Sequence, residues 1–365
     1  MTTAPKKTME EFDRELAAAS IMGQWQDDKI LETLVDGPKP NGVPYLWKWA
    51  TMEEKLLDAC NVLPESLTAR RNLSLLNPGI THKRGSTHNI LIGMQMVLPG
   101  EVAWAHRHPI SALRFAIEGD QDLYTVVDGE RLPMEPNDLV LTPVWTWHDH
   151  HNDSKKRGIW LDVLDVPLTF GLGQVAFEKY GQSSQTLRPH QHDYVSARTG
   201  NLRPAWEIPA VRNFPIRYAW KDVLRDFDRL DGAEGTPFDG VILEYVNPMT
   251  GGSAMPTMRC CIQNLKAGFV GKSHRHTSAT VYYVVEGEGK TIVDGKEMLW
   301  GPRDIFVVPD NANHEHVNRS LGDRALLFSV SDAPLLEYLG IYREFPENSI
   351  RTSPMPAVPA KPVGR

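Results

Sequence analysis

The sequence is poor in the features that mark disulfide-stabilised, exported or membrane proteins. Among its 365 residues are three cysteines, Cys60, Cys260 and Cys261, and an odd number with two adjacent predicts no disulfide framework. No apolar run approaches the roughly 20 residues of a membrane-spanning helix. The polar start, Met1 to Lys7, contains no apolar signal core. These absences predict a cytoplasmic protein with reduced cysteines and no membrane partner.

Positive charge is also scarce. Lysine and arginine together number 39 against 46 acidic residues, which gives a net charge of −7 and a pI of about 6.0. This balance argues against general nucleic-acid binding. The 41% hydrophobic and 23% charged residues are typical of a soluble globular protein, and the length suits two domains.

Histidine is distributed unevenly, in two similar clusters. The first cluster is His106-Arg-His108 followed by His148-Asp-His150, and the second is His274-Arg-His276 followed by His314-Glu-His316. Residues i and i+2 of a β-strand share a face, so the two histidines of each His-x-His point the same way. Three imidazoles leave open coordination positions on an octahedral metal, as a catalytic metal requires. Surface or core histidines would explain one such pattern, whereas two equal ones indicate a duplicated metal-binding module.

Other residues repeat at nearly the same distance as the histidines. The anchors, with their offsets, are Asn77-Pro78 and Asn247-Pro248 (170), His106 and His274 (168), Pro143 and Pro309 (166), and Asp165-Val-Pro-Leu168 and Asp332-Ala-Pro-Leu335 (167). A unit of this length is too long for a solenoid repeat. The chain is therefore predicted to contain two copies of one domain.

The local patterns predict a helical start followed by β structure. Thr8-Met-Glu-Glu11 and Thr51-Met-Glu-Glu54 resemble capping boxes at the start of helices. From about Leu73, short apolar segments are broken by Gly, Pro, Asn and Asp, which is typical of a β-sandwich or barrel. Val127-Asp-Gly-Glu130 and Val293-Asp-Gly-Lys296 predict two tight hairpins.

Five segments are predicted in all. They are an N-terminal helical segment (1–72), a first β-domain (73–170), a linker (171–238), a second β-domain (239–345) and a proline-rich tail (346–365) that is expected to be extended or disordered.

The histidine clusters lie within longer motifs. Gly100-x5-His106-x-His108 and Pro143-x4-His148-x3-Asn152 resemble the two sequence motifs of the cupin superfamily, and Gly268 to His276 and Pro309 to Asn318 resemble a second set. The resemblance implies a mainly β bicupin fold, with two cupin β-barrels (double-stranded β-helices) after the helical segment. Cupins usually add a glutamate ligand, and both copies lack it. A three-histidine site is more positive and more open, and it favours an anionic substrate that chelates the metal through two oxygens.

More specific stretches resemble gentisate 1,2-dioxygenase. They run from His106 to Phe115 and from Leu141 to His150. This resemblance implies an Fe(II)-dependent enzyme that opens gentisate between its carboxylated and adjacent hydroxylated carbons to give maleylpyruvate. Relatives in the family open salicylate or 1-hydroxy-2-naphthoate, so these acids, or a substituted salicylate, remain alternatives. The partners implied are a small aromatic hydroxy acid, O2, and further copies of the chain in a homotetramer.

Two other functions are known among cupins and fit these motifs less well. A non-catalytic bicupin that binds a small acid would fit a degraded histidine set, but both sets are intact. A cupin decarboxylase or isomerase usually uses the missing glutamate.

Carried over by residue, the resemblance assigns roles in the first module. His106, His108 and His148 would bind Fe(II), and Arg114 and Arg70 would hold the substrate carboxylate, which a guanidinium fork matches. The choice of Arg70 over Arg71 follows the family.

Three further residues are expected near the substrate. Gln95 would line the pocket, and His150 would hydrogen-bond the substrate hydroxyl or the bound oxygen. Asp162 would orient His150 from behind.

The second module is predicted to differ from the first. It keeps His274, His276 and His314 as a possible second metal site. Tyr282 stands where the first module has Arg114, and no arginine pair precedes Asn247. Catalysis is therefore predicted in the first module.

Overall fold

The N-terminal part of the chain forms a small helical unit. The computed structural model describes residues 7–34, 37–63, 71–81, 84–188, 217–247 and 250–346, and contacts set residues up to Lys39 apart from the unit that begins at Pro40. The small unit contains α1 (Met9–Ala18), a 3-10 turn (Gln24–Asp27) and α2 (Asp28–Leu34). Thr8 and Glu11 form the predicted capping box, with N–H···O distances of 2.8 and 3.2 Å.

The large unit begins with a strand and a helix, the first arm, and continues into a β-barrel. The first arm is β1 (Tyr45–Trp47) and α3 (Trp49–Val62). The first barrel and its following helix are β2 (Asn72–Leu75), β3 (Leu91–Val97), β4 (Val102–Arg107), β5 (Ala112–Glu118), β6 (Leu123–Val127), β7 (Glu130–Pro133), β8 (Leu139–Thr142), β9 (His148–Asn152), β10 (Gly158–Leu164), α4 (Val166–Gly171) and β11 (Glu178–Lys179).

The same order recurs in the second half of the chain. The second arm is β12 (Arg217–Tyr218) and α5 (Trp220–Asp228). The second barrel and its helix are β13 (Val241–Glu244), β14 (Arg259–Leu265), β15 (His274–His276), β16 (Thr280–Glu286), β17 (Gly289–Val293), β18 (Lys296–Trp300), β19 (Ile305–Val308), β20 (His314–Asn318), β21 (Ala325–Ser331), α6 (Ala333–Tyr338) and β22 (Glu344–Pro346). The predicted mainly β architecture of two barrels after a helical segment is confirmed. No helix among the described residues is long and apolar enough to cross a membrane.

Each barrel is made of two sheets. The first arm adds a strand to the second barrel, and the second arm adds a strand to the first barrel. The sheets of the first barrel have the orders β12-β8-β5-β10-β3-β2 and β11-β4-β9-β6-β7. Those of the second are β1-β19-β16-β21-β14-β13 and β18-β17-β20-β15-β22. Thus β1 pairs with β19, and β12 pairs with β8. Parts of the predicted N-terminal segment and linker therefore complete the barrels.

The two predicted hairpins are confirmed. Asp128 and Gly129 have φ of 47° and 84°, and Asp294 and Gly295 have φ of 46° and 82°. Positive φ at both central residues is the geometry of the type I′ turn, which matches the twist of the paired strands.

The start of α3 differs from the prediction. Thr51 was expected to cap this helix, but the helix begins two residues earlier, at Trp49. The Trp49 amide donates to Asp304 Oδ1 at 2.9 Å, and Lys48 Nζ donates to Asp304 Oδ2 at 2.6 Å. A carboxylate from the second barrel therefore satisfies the N-terminal amide that a local threonine would otherwise cap.

The second arm is capped in the same way from the first barrel. The Trp220 amide donates to Asp138 Oδ1 at 2.8 Å, and Arg217 donates to Asp138 Oδ2 at 2.8 Å. Asp138 precedes Asp304 by 166 residues, so this cap belongs to the duplicated unit.

The two barrels pack against each other through an apolar layer. Leu113 and Phe115 of β5 point into this layer, whereas Arg114 between them faces the interior of the first barrel. The Phe115 ring stacks on Phe328 of the second barrel at a centroid distance of 4.1 Å. The alternation of a strand thus assigns one face to inter-barrel packing and the other to the barrel interior.

Removal of the carboxylate caps should destabilise the protein unequally. We expect Asp138→Ala to lower the free energy of unfolding by about 2–3 kcal/mol, because a cap is lost and the partly buried Arg217 loses a charged acceptor. Asp304→Ala should cost about 1 kcal/mol, because the exposed Lys48 ammonium returns to water. Urea unfolding of both variants measures this difference. A larger loss for Asp304→Ala would contradict the proposed origin of the effect.

Candidate metal centre and substrate pocket

The structure brings His106, His108 and His148 together inside the first barrel. Strand β4 pairs with β9 so that His106 lies opposite His148. One ring nitrogen from each of the three side chains can be chosen so that all lie within 4.8 Å of one another. The spacing suits three ligands of one ion.

Backbone carbonyls orient each of these imidazoles. The Nδ1 atoms of His106, His108 and His148 contact the carbonyl oxygens of Trp104 (2.6 Å), Ile110 (2.9 Å) and Thr146 (3.0 Å), respectively. A carbonyl only accepts, so Nδ1 carries the proton and the Nε2 lone pair is available to a metal. Nε2 of His148 is buried and has no hydrogen-bond partner among the described residues.

Burial favours the uncharged form of two of the three imidazoles. It lowers the pKa of His108 to about 4 and lowers the pKa of His148 well below its usual value, with Arg114 adding to both effects. Neutral imidazole is the form that binds a metal. The Nε2 atoms of the three imidazoles are therefore available to a divalent transition metal, and three such donors leave coordination positions for other ligands.

A cavity of about 760 Å³ lies beside the cluster. Its polar lining includes the predicted residues Gln95, Arg114 and His150. Trp104 and Phe177 provide apolar surface, and the Phe177 ring stacks on His106 at 4.9 Å. The cavity thus combines a metal-competent cluster, a cation and apolar walls.

Arg114 is buried in the cavity wall and is held by two neighbours, one of which is itself held by a third residue. It donates to Thr142 Oγ1, and its Nε lies 3.5 Å from Asp162 Oδ1. Asn72 Nδ2 donates to Asp162 Oδ2 at 3.0 Å. Burial lowers the pKa of Arg114 and raises that of Asp162, and the attraction between the two opposes both shifts. The pair therefore holds a guanidinium at a fixed place in the cavity wall.

The neighbour of Asp162 differs from the one predicted. Asp162 was expected to orient His150, but the register of β10 on β5 places it directly opposite Arg114. His150 is oriented by Thr125, whose Oγ1 lies 2.8 Å from Nδ1. Asp162 therefore positions the arginine rather than the histidine.

The sequence reasoning missed Thr125 and its neighbour Met134. The Thr125 hydroxyl lies 3.2 Å from Met134 Sδ, which has no proton to donate. If the hydroxyl proton goes to the sulfur, its oxygen accepts from His150 Nδ1, and His150 Nε2 faces the cavity as an acceptor. The recurrence of Thr125 as Thr291, 166 residues later, was the available sequence signal.

Of the adjacent arginines Arg70 and Arg71, Arg71 does not line the cavity. Arg70 lies outside the described residues, so its predicted role remains a prediction. Arg71 is buried and donates to Glu101 at 2.8 and 3.0 Å and to the Met96 carbonyl at 3.2 Å. These bonds commit Arg71 to a structural ion pair.

The second barrel also gathers its three histidines. His274, His276 and His314 offer ring nitrogens within 4.8 Å of one another. Tyr282 fills the place of Arg114, stacking on Phe306 at 4.8 Å. An aromatic ring therefore occupies the position where the first barrel presents a cation.

Both barrels match a known domain family. The Cupin domain family matches residues 93–164 and 261–331. The chain is 43% identical over 358 residues to 1-hydroxy-2-naphthoate 1,2-dioxygenase of Nocardioides sp. (strain KP7), an alignment that covers 98% of this chain and 92% of that protein. It is 37% identical to 5-aminosalicylate 1,2-dioxygenase of Comamonas sp, covering 92% and 90%, and 36% identical to gentisate 1,2 dioxygenase 1 of Aquipseudomonas alcaligenes, covering 93% and 97%.

A solved structure agrees with these relatives. Salicylate 1,2-dioxygenase from Pseudaminobacter salicylatoxidans superposes with a TM-score of 0.83 at 30% identity, covering 94% of this chain and all of that one. The chain therefore belongs to the bicupin family of ring-cleaving 1,2-dioxygenases, enzymes that include gentisate, salicylate and 1-hydroxy-2-naphthoate 1,2-dioxygenases.

Proposed function

We propose that the first barrel is an Fe(II)-dependent site that opens the ring of an aromatic acid with an ortho hydroxyl group, using O2. The observation that carries this proposal is one cavity lined by Arg114, His150 and two members of the three-histidine cluster, His106 and His108. The reaction breaks the bond between the carboxylated and the hydroxylated ring carbons. The names of the relatives support the reaction class.

Three neutral imidazoles and open positions suit iron(II), as they suit other divalent metals that bind nitrogen. When bound, iron(II) would supply a Lewis acid for the carboxylate and hydroxyl oxygens and a conduit for electrons to O2. The missing cupin glutamate is consistent with this reading, because the substrate brings its own anionic oxygens.

Arg114 binds the substrate carboxylate in this proposal. Its guanidinium lines the cavity and is held by Asp162 and Thr142. A charged hydrogen bond in a buried site contributes more than one in water. The arginine therefore fixes which end of the ring faces the metal cluster.

His150 accepts the proton of the substrate hydroxyl. Burial, with Arg114 adding to it, lowers the pKa of His150 well below its usual value, so the ring is neutral near pH 7. Its bond with Thr125 fixes the ring, and in this proposal Nδ1 carries the proton, which leaves Nε2 as the acceptor. Loss of the phenolic proton makes the ring more electron-rich for reaction with O2.

Gentisate, which would give maleylpyruvate, is the substrate indicated by the sequence motifs. A specific observation favours a second candidate, 1-hydroxy-2-naphthoate. The cavity of about 760 Å³ is of a size that accommodates drug-sized ligands, and Trp104, Phe177 and Leu164 give it apolar walls for a second ring. The relative that shares 43% identity carries that substrate in its name.

A substrate panel tests this proposal. Enzyme loaded with iron(II) without air should consume O2 with 1-hydroxy-2-naphthoate, gentisate or salicylate, and the ring-opened product should appear in the ultraviolet spectrum. Benzoate is the control, because it lacks the hydroxyl group that completes the chelate. Absence of O2 uptake with all three hydroxy acids would refute the proposed function.

Replacement of Arg114 tests its role at the carboxylate. We expect Arg114→Gln to lower kcat/KM by about 10- to 150-fold, because a hydrogen bond to a charged group contributes about 1.5–3 kcal/mol. Tyr282→Phe, at the equivalent position of the second barrel, should retain the wild-type value. Equal kinetic constants for Arg114→Gln and the wild type would exclude a substrate contact.

Paired histidine variants test which barrel is catalytic. His106→Ala should abolish turnover, because it removes one of three predicted ligands, whereas His274→Ala should retain most of it. Steady-state rates are compared after circular dichroism has shown that both variants are folded. Full activity in His106→Ala with none in His274→Ala would reverse the assignment.

A further inference from the structure

The histidine cluster of the second barrel has an acidic neighbour. Asp239 Oδ2 lies 4.0 Å from His274 Nε2. Donor atoms that are each about 2.1 Å from a shared ion lie about 3 to 4 Å apart. The carboxylate is therefore at the distance of a neighbouring ligand from His274, while the donor atoms that all lie within 4.8 Å of one another are those of the three histidines.

One oxygen of this carboxylate is held and the other is directed towards the cluster. Gln263 Nε2 donates to Asp239 Oδ1 at 2.8 Å. Gln263 follows Gln95 by 168 residues, and Gln95 lines the substrate cavity of the first barrel. The glutamine at this repeated position therefore lines the substrate cavity in the first barrel and holds a carboxylate of the chain itself in the second barrel.

The loop that carries Asp239, residues 236–240, is fastened at the second barrel. Thr236 and Gly240 form a β-bridge, and the Lys272 amide donates to the Pro237 carbonyl at 2.8 Å. The Phe238 ring packs on His274 at a centroid distance of 4.8 Å. The loop covers the cluster with an aromatic ring beside the carboxylate.

Two further imidazoles of the second barrel have a buried ring nitrogen with no hydrogen-bond partner among the described residues. Nε2 of His314 and Nε2 of His316 are buried without a hydrogen-bond partner in the part of the chain that the structure describes. His314 is 1% exposed. A buried polar atom without a partner is costly, and an ion bound at His314 would remove that cost.

The first copy of the repeat has no acid at this place. Ile242 pairs with Gln263 as Asn72 pairs with Gln95, so Asp239 corresponds in sequence to Ala69, next to Arg70. A carboxylate added to three neutral imidazoles leaves a divalent ion with a net charge of +1. Such a site has less need of an anionic ligand from outside.

We propose that the second barrel binds a divalent first-row transition metal through His274, His276, His314 and Asp239. In this proposal the ion joins the 236–240 loop to the barrel. The assignment rests on the residues of the second barrel and does not depend on the function proposed for the first.

Metal titration of single-barrel variants tests the proposal. After chelation, wild-type protein should bind two Zn(II) ions per chain, as measured by equilibrium dialysis and elemental analysis. His148→Ala and His314→Ala should each bind one. Asp239→Ala in the His148→Ala background should bind Zn(II) at least 10-fold more weakly, since loss of even an outer partner of a metal ligand costs about 10- to 100-fold.

Two controls separate the carboxylate from general effects. Glu315→Gln changes an acid on β20, between His314 and His316, that is outside the cluster, and it should leave the affinity unchanged. Asp239→Asn keeps the shape of the side chain and replaces the alanine variant if that variant does not fold. One Zn(II) per wild-type chain, or equal affinities for Asp239→Asn and Glu315→Gln, would overturn the proposal.

Amide hydrogen exchange provides a readout independent of activity. In His148→Ala, addition of Zn(II) should slow exchange across residues 236–240, because the ion ties the loop to the barrel. In His314→Ala the same addition should leave that exchange unchanged. Slowing in both variants, or in neither, would contradict a site built on Asp239.

Discussion

The register of β3, β5 and β10 is the constraint on which the site depends. These strands form the centre of one sheet, and their alternate residues face either the apolar layer between the barrels or the interior of the first barrel. Phe115 faces the apolar layer, while Arg114 and Asp162 face the cavity. A shift of one residue would move the guanidinium into the apolar layer and a phenyl ring into the cavity. Packing between the barrels therefore fixes the position of the cation.

Duplication preserved the framework and changed the interior. Asp138 and Asp304 cap the opposite arms with nearly equal distances. By contrast, the contacts behind the fourth histidine differ. Thr125 contacts the Met134 sulfur, whereas Thr291 accepts from Trp300 Nε1 at 3.0 Å.

This difference affects where the imidazole proton lies. Because Trp300 donates to Thr291, the Thr291 hydroxyl proton is available to His316 Nδ1, 2.9 Å away. In the first barrel, a hydroxyl proton directed at the Met134 sulfur would leave the Thr125 oxygen to accept from His150 Nδ1, and His150 Nε2 would be the acceptor. A change from Met to Trp behind the threonine thus favours opposite tautomers in the two barrels.

The sequence predicted what depends on neighbouring residues and missed what depends on strand pairing. The histidine spacing and the Asp-Gly turns are local features of the sequence. Both barrels and their histidine clusters were therefore predictable from them. The partner of Asp162 is set by the pairing of β10 with β5, and the cap of α3 comes from a residue 255 positions away. Neither contact has a signal in the adjacent sequence. The exact repeat of Thr125 and Asp138 shows that a comparison of the two copies would have revealed such positions.

Both cupin motifs lack the usual glutamate ligand, and the two barrels differ in the carboxylate proposed to replace it. In the function proposed for the first barrel, the substrate supplies the anionic oxygens, and Arg114 in the cavity wall attracts them. In the second, Asp239 supplies a carboxylate from the chain itself, and Tyr282 occupies the place of the arginine. A site whose fourth donor arrives with the ligand must remain open, whereas a site that carries its own donor has less need of an outside ligand. In the two proposals, the origin of one carboxylate separates a barrel that turns over substrate from a barrel that holds a metal.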